Sequence, residues 1–301
     1  MPIPLVYNPY YSYPFPSNHR FPMGKFALLY KYLQESGIAQ RHNVFRPGKI
    51  NTTSLELAHC PEYLHRFINN QQNDKEVRRM GLPWSEALVR RSLISPNGTL
   101  LTAGIALNQG IACHLAGGTH HAHYDFASGY CILNDLAIAA KSIINSNKAK
   151  SVLIFDCDVH QGDGTASILS GDKTIFTCSI HCEKNFPARK AISDLDVALP
   201  LGMTDTDYLF VVETTLRKAI ESCQPDLILY DAGVDVYAAD GLGHLTISHS
   251  GIVERERIVL TTARKTGIPI ATVIGGGYDK DEKALARRHA IVIEQAAHIF
   301  Q

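Results

Sequence analysis

A short apolar run, Ser151-Val152-Leu153-Ile154-Phe155, ends abruptly in Asp156-Cys157-Asp158-Val159-His160-Gln161-Gly162-Asp163-Gly164. The apolar part has the length and branching of a strand covered on both faces. The polar part crowds carboxylates and an imidazole where that strand must stop. In extended backbone alternate side chains share a face, so Asp156, Asp158 and His160 are expected to point one way. They would converge at a strand's carboxyl end, where open α/β sheets hold their ligands. Asp and Gly after a strand also make turns and cap helices, and Asp163-Gly164-Thr165 reads that way in part. Turn-making leaves two further carboxylates and an imidazole unexplained, because ionised groups near an interior need a partner or a metal.

The rest of the chain repeats the pattern of short apolar runs between amphipathic ones. Strands are expected over Pro4 to Tyr7, Ser151 to Phe155, Thr174 to Ser179, Asp226 to Asp231 and Ile268 to Ile274. Helices are expected over Met23 to Ser36, Pro61 to Asn70, Ser85 to His114 with a break near Pro96, Asn134 to Asn145, Asp205 to Ser222, Ser250 to Thr266 and Lys280 to Phe300. Such alternation implies right-handed βαβ units and a three-layer α/β/α fold around a mostly parallel sheet. Asn8 to Pro22, Asn69 to Lys75 and Glu183 to Pro200 are the loop candidates. No linker, repeat or charge block interrupts the sequence, so residues 1–301 read as one domain.

Lysine plus arginine equals aspartate plus glutamate, 29 of each, which gives no overall basic field for nucleic acid or an anionic membrane. Seven cysteines are scattered without a C-x-x-C pair, as small core residues of a reduced interior would be. No run is long enough to cross a bilayer, and the N-terminus lacks the pattern of a secretory signal, so a soluble cytoplasmic protein is expected.

A second polar cluster ends another strand, in Leu227-Ile228-Leu229-Tyr230-Asp231-Ala232-Gly233-Val234-Asp235. Alone, Asp235 reads at least as well as a helix cap or turn former. Beside Asp158 and His160 it completes a three-ligand set that leaves positions open for water and substrate, as catalytic metal sites do. Two carboxylates largely offset a divalent charge, so water there is less acidified than at an all-histidine site, and a separate base is needed.

Gly117-Gly118-Thr119-His120-His121-Ala122-His123 can supply that base. Adjacent histidines on a glycine-flanked loop can offer two imidazoles to one pocket, although an isolated pair is about as often a solvated or satisfied cluster. Asp156 and Asp163 are available to fix the ring tautomers. Gly275-Gly276-Gly277-Tyr278 matches no phosphate-binding spacing, and its glycines read as a turn. Tyr278 adds a phenol that could stabilise an oxyanion.

Together these residues resemble the histone deacetylase superfamily, which shares its three-layer fold with arginase. The resemblance runs from His19-Arg20-Phe21-Pro22-Met23 to Tyr278 and the helix beyond. It is carried by Gly118-Thr119-His120-His121, Ser128-Gly129-Tyr130-Cys131 with Leu133-Asn134-Asp135, Asp156 to Gly164, Ala232-Gly233-Val234-Asp235 and the glycine turn before Tyr278. The opening segment and Gly81-Leu82-Pro83-Trp84-Ser85-Glu86 are most similar to the class IV branch and its bacterial relatives.

The resemblance implies zinc on Asp158, His160 and Asp235, with ferrous iron suited to the same donors. It implies His121 as general base and then acid, His120 as its electrostatic partner, Tyr278 as carbonyl polariser, and Asp156 and Asp163 behind the histidines. It further implies a structural potassium ion at Asp156 and Ser179, an acyl channel lined by Tyr130 and Phe186, and a Gly129 carbonyl for the substrate amide.

The expected reaction is hydrolysis of an N-acyl amide, acyl-lysine in a peptide or protein first. The alternatives are a small acylated amine such as an acetylpolyamine, and a binder without turnover. Two departures bear on the choice. Met80-Gly81-Leu82-Pro83-Trp84 stands where class I relatives carry an acidic peptide clamp, and apolar Leu242 stands where acetylpolyamine hydrolases tend to carry an acidic gatekeeper. An apolar Leu242 disfavours a cationic polyamine. One set of three ligands, not two, argues against an arginase-like binuclear centre.

Overall fold

The computed structural model describes residues 2–300. Among the described residues eight strands, β1 (Leu5–Val6), β2 (Val44–Phe45), β3 (Ile111–His114), β4 (Val152–Asp156), β5 (Ile175–Cys182), β6 (Leu195–Leu199), β7 (Leu227–Asp231) and β8 (Ile270–Val273), join one sheet in the order β2-β1-β3-β8-β7-β4-β5-β6. Every pairing is parallel. The central strands β3, β4, β7 and β8 are buried along their whole length, which is why they read as unbroken apolar runs.

Helices cover both faces. On one lie α5 (Glu86–Gln109), α6 (Asp135–Asn145) and α7 (Asp163–Leu169), with α2 (Thr52–Glu56) against α6. On the other lie α8 (Asp205–Cys223), α9 (His249–Thr266) and α10 (Glu282–Phe300), with α1 (Lys25–Glu35) against α10. Two more helices, α3 (Pro61–Ile68) and α4 (Asp74–Met80), lead into α5. This is the three-layer α/β/α architecture.

The structure corrects the expectations in particular places. The stretch Ser85 to His114 is not a helix broken at Pro96. Instead α5 runs through Pro96 and stops at Gly110, whose φ of 85° suits glycine, and Ile111–His114 turns into β3. A proline inside a helix forfeits one backbone bond and costs about 3 kcal/mol. The helix continues through it, with Ile94, Ser95, Gly98, Thr99 and Thr102 buried around it.

The supposed loop Glu183 to Pro200 contains β6, whose alternating exposure and outward Asp196 mark an edge strand. The supposed loop Asn69 to Lys75 ends in α4, started by an Asn73–Glu76 capping box. All seven cysteines are free. Among the described residues no helix is long and apolar enough to cross a membrane.

Candidate active site

Because β3, β8, β7 and β4 are neighbours and parallel, the segments leaving their carboxyl ends meet at one edge of the sheet. These segments carry His120 and His121 after β3, Tyr278 after β8, Asp235 after β7, and Asp158 and His160 after β4. Strand alternation does not persist past Asp156, where β4 ends. Two tight turns come next, in which Asp156 Oδ1 accepts from the Asp158 N–H at 3.0 Å and Asp158 Oδ1 from the His160 N–H at 2.9 Å. The expected common face of three therefore splits: Asp156 turns to His120, while Asp158 and His160 turn to Asp235.

His160 Nδ1 lies 3.0 Å from Asp158 Oδ1 and 3.1 Å from Asp235 Oδ2, with all three residues buried. The outer oxygens are held by backbone, Asp158 Oδ2 by the Gly276 N–H at 2.7 Å and Asp235 Oδ1 by the Val159 N–H at 2.9 Å. Burial and the Asp158 charge push the Asp235 carboxyl up to about 7. Burial opposes charge on His160, but bonds to Asp158 and Asp235 prevail and raise it to about 10. Two buried carboxylates thus compete for one positive charge. A Cβ on Gly276 would fall 2.1 Å from Asp235 Oδ2 and 2.5 Å from Asp158 Oδ2, so only glycine keeps the space beside the carboxylates clear. Two oxygens and a nitrogen around a protected space fit a divalent cation of the zinc or ferrous type.

The two histidines lean on different carboxylates. His120 Nδ1 is 2.7 Å from Asp156 Oδ2, and His121 Nδ1 is 2.6 Å from Asp163 Oδ1. Burial disfavours charge on His120, but the Asp156 and Asp158 carboxylates overcome it and hold its proton affinity well above the usual histidine range. Burial and the neighbouring His120 charge lower His121 to about 4 despite Asp163. The two neighbouring rings are thus shifted in opposite directions, His120 up and His121 down.

Tyr278 stands across from them, its ring centre 6.3 Å from that of His160 and 5.9 Å from that of Tyr130. Burial and the Asp158 and Asp235 charges raise its phenol well above 10, so it remains an O–H donor. The site opens through a cavity of about 280 Å³ lined by His121, Gly129, Tyr130, Phe186, Leu242 and Tyr278. Phe186 meets the His121 ring edge-on at 4.8 Å. Met80 and Leu82 are buried, and the Met80 carbonyl accepts from the Tyr130 N–H at 3.0 Å. Asp156 and Ser179 sit opposite each other across β4 and β5, with the Ser179 hydroxyl 3.0 Å from His181 Nδ1.

A family model of the histone deacetylase domain matches residues 19–295. The chain belongs to the histone deacetylase family. It is 47% identical to an uncharacterized protein of Picosynechococcus sp., over all of both chains. It is 28% identical to histone deacetylase 2 of Arabidopsis thaliana, over 87% of this chain and 70% of that one. It is 26% identical to the acetoin utilization protein AcuC of Staphylococcus xylosus, over 89% and 75%. The crystal structure of an HDAC homologue complexed with SAHA superposes with a TM-score of 0.83 at 23% identity, covering 98% of this chain and 84% of that one. The fold is therefore that of the family.

In this deacetylase-family chain several residues that support the site carry no motif of their own. Asp240 Oδ2 accepts from the Tyr278 N–H at 2.7 Å, and its Oδ1 from the Leu242 and Gly243 N–H groups at 2.8 and 3.1 Å. It ties the tyrosine turn to the channel rim. Asn185 donates to the Leu242 carbonyl at 2.7 Å and accepts from the His244 N–H at 3.1 Å. From α9 the buried Arg255 donates to the carbonyls of Gly233, Ala232 and Cys157 at 2.7, 3.2 and 3.3 Å, bracing both loops that bear Asp158 and Asp235. Asp231 is fully buried near His120 and Asp156, with no partner for either oxygen among the described residues. Burial and the Asp156 charge push it well above the usual carboxylate range. Only its strand-end position signals it in sequence.

Proposed function

We propose that this protein hydrolyses N-acyl amides, with acyl-lysine in a peptide or protein as the substrate class. The observation that carries the reading is geometric: His121, backed by Asp163, and Tyr278 line one cavity together with His160, which clusters with Asp158 and Asp235. A zinc or ferrous ion on those three donors would supply a Lewis acid that polarises the acyl carbonyl and acidifies water.

The chain's own residues do the rest. Tyr130 and Phe186 enclose the acyl-lysine stem, and the Gly129 carbonyl accepts from the amide N–H. His121 Nε2 takes the proton from the attacking water, and Asp163 stabilises the imidazolium that forms. The Tyr278 O–H donates to the oxyanion of the tetrahedral intermediate, a contact worth about 3 kcal/mol of barrier. His121 then protonates the departing amine. The fixed charge of His120 keeps His121 from being protonated early. Asp156 orients His120 and, with Ser179, would hold a structural potassium ion, each oxygen having a lone pair to spare.

The apolar Leu242 at the mouth favours peptides over cationic polyamines, since no charge there balances their amines. The test is turnover by zinc-loaded and iron-loaded protein on acyl-lysine peptides of increasing acyl length, against acetylputrescine and acetylspermidine. Hydrolysis of peptides well above the small amines is expected. Turnover of polyamines alone reassigns the substrate, and peptide binding without turnover makes the chain a binder.

A further inference from the structure

Phe186 is 45% exposed, so burial alone does not hold its ring edge-on against His121 at 4.8 Å. Its backbone gives little help. The Asn185 N–H donates to the Cys182 carbonyl at 3.1 Å, but among the described residues no backbone N–H from 186 to 190 donates to a backbone carbonyl. One side chain fastens the segment instead. Lys190 Nζ donates to the Asn185 carbonyl at 2.7 Å and to the Pro187 carbonyl at 2.6 Å, one on each side of Phe186. Both ends of this clasp are anchored. Next to Lys190, the Ala191 N–H donates to Oε1 of the buried Gln161 at 2.8 Å, and the Ala191 carbonyl accepts from Gln161 Nε2 at 2.9 Å. At the other end the Asn185 amide donates to the Leu242 carbonyl at 2.7 Å, across the mouth of the cavity.

We propose that Lys190 is a positioning residue that fixes Phe186 as a wall of the acyl channel. The inference rests on the reading of that cavity as an acyl-lysine site. An ammonium has three donors, enough to serve both carbonyls at once, and a charged donor makes the stronger bond. Without it the two carbonyls turn to water, and a half-exposed ring on an unfastened loop takes up several orientations. A substrate stem must then order Phe186 as it binds, and that ordering is a cost of association. Lys190 itself stands outside the lining of the cavity that holds His121 and Tyr278, so the chemical step is spared.

The experiment uses the zinc-loaded full chain with Lys190→Met, which keeps an apolar stem without donors, and Lys190→Arg, which keeps a cation with donors. With an acetyl-lysine peptide Lys190→Met is expected to raise KM about three- to tenfold while kcat changes by less than about twofold. Lys190→Arg should return KM toward wild type. In a Phe186→Ala background Lys190→Met should add no further loss, because the ring it positions is gone. Fluorine NMR of fluorophenylalanine-labelled protein, with the Phe186 signal assigned by its disappearance in Phe186→Leu, reads the ring without turnover. That signal should move toward the position of a solvated ring in Lys190→Met. A chain that hydrolyses no acyl amide sinks the proposed function, and the fluorine signal still decides this inference. A Phe186 signal unmoved in Lys190→Met, or an equal rise in KM with and without Phe186, overturns the inference.

Discussion

The imidazoles of His120 and His121 have ring centres 4.2 Å apart and yet lean on different carboxylates, Asp156 and Asp163. Asp156 and Asp158 raise His120 well above the usual histidine range, and burial, with the neighbouring His120 charge, holds His121 down to about 4. If neutral His121 is the base, activity is present above its proton affinity and lost as pH falls through it. Activity should therefore persist from pH 7 down toward 5 and fall only as pH approaches 4. In His120→Ala the lost charge should move this limb upward. A pH profile of kcat/KM for both proteins checks the point, and a wild-type limb at or above 6.5 contradicts it.

Tyr278→Phe removes an O–H and leaves Asp158, His160 and Asp235 untouched. Metal content should stay near wild type while turnover drops about a hundredfold or more. Because the phenol is held well above 10, Tyr278 should contribute no alkaline limb below that pH. Activity within a few-fold of wild type would take Tyr278 out of the mechanism.

From α9, Arg255 ties together the loops that carry Asp158 and Asp235, pairing with Glu256 at 2.5 Å while it braces three carbonyls. Arg255→Met strands a buried carboxylate and those carbonyls together. The expected loss is about 3–5 kcal/mol in urea denaturation, with weaker zinc binding in whatever remains folded. Unchanged stability would mean that the loops hold themselves.

Gly276→Ala tests the proposed cation site directly. The added methyl meets Asp235 Oδ2 and Asp158 Oδ2, while the backbone there needs no left-handed φ. The chain should fold with far-UV circular dichroism like wild type and bind zinc at least about tenfold more weakly, since the two carboxylates can no longer close on one ion. Equal zinc affinity by competition titration would argue that the carboxylates do not hold the ion.

What was legible in the sequence was local. Strand runs ending in polar residues gave both the sheet and the segments that meet at its edge, because parallel strands bring their carboxyl ends together whatever their separation in the chain. The common face expected of Asp156, Asp158 and His160 failed because Asx turns replace extended backbone after Asp156. The strand Ile111–His114 was hidden behind a long helix, with Gly110 the one available stop signal. Asp240, Asn185 and Arg255 were not legible at all. Their partners lie up to 98 residues away, and a lone polar residue in a loop or helix carries no trace of what it will meet.

Leu242 tests how far the channel mouth sets the substrate. It lines the cavity with Phe186 and His244, on a loop fixed by Asp240 and Asn185, so a substituted side chain should keep its position. Leu242→Glu would bring an anion to the mouth and leave the catalytic groups in place. A partly exposed charge pair is worth about 1 kcal/mol or less, so the ratio of kcat/KM for acetylspermidine to that for an acetyl-lysine peptide should rise by up to about fivefold. The gain should shrink with added salt, because screening weakens an exposed pair. A ratio that stays put, or one that rises without salt dependence, would mean that charge at this position does not select the amine.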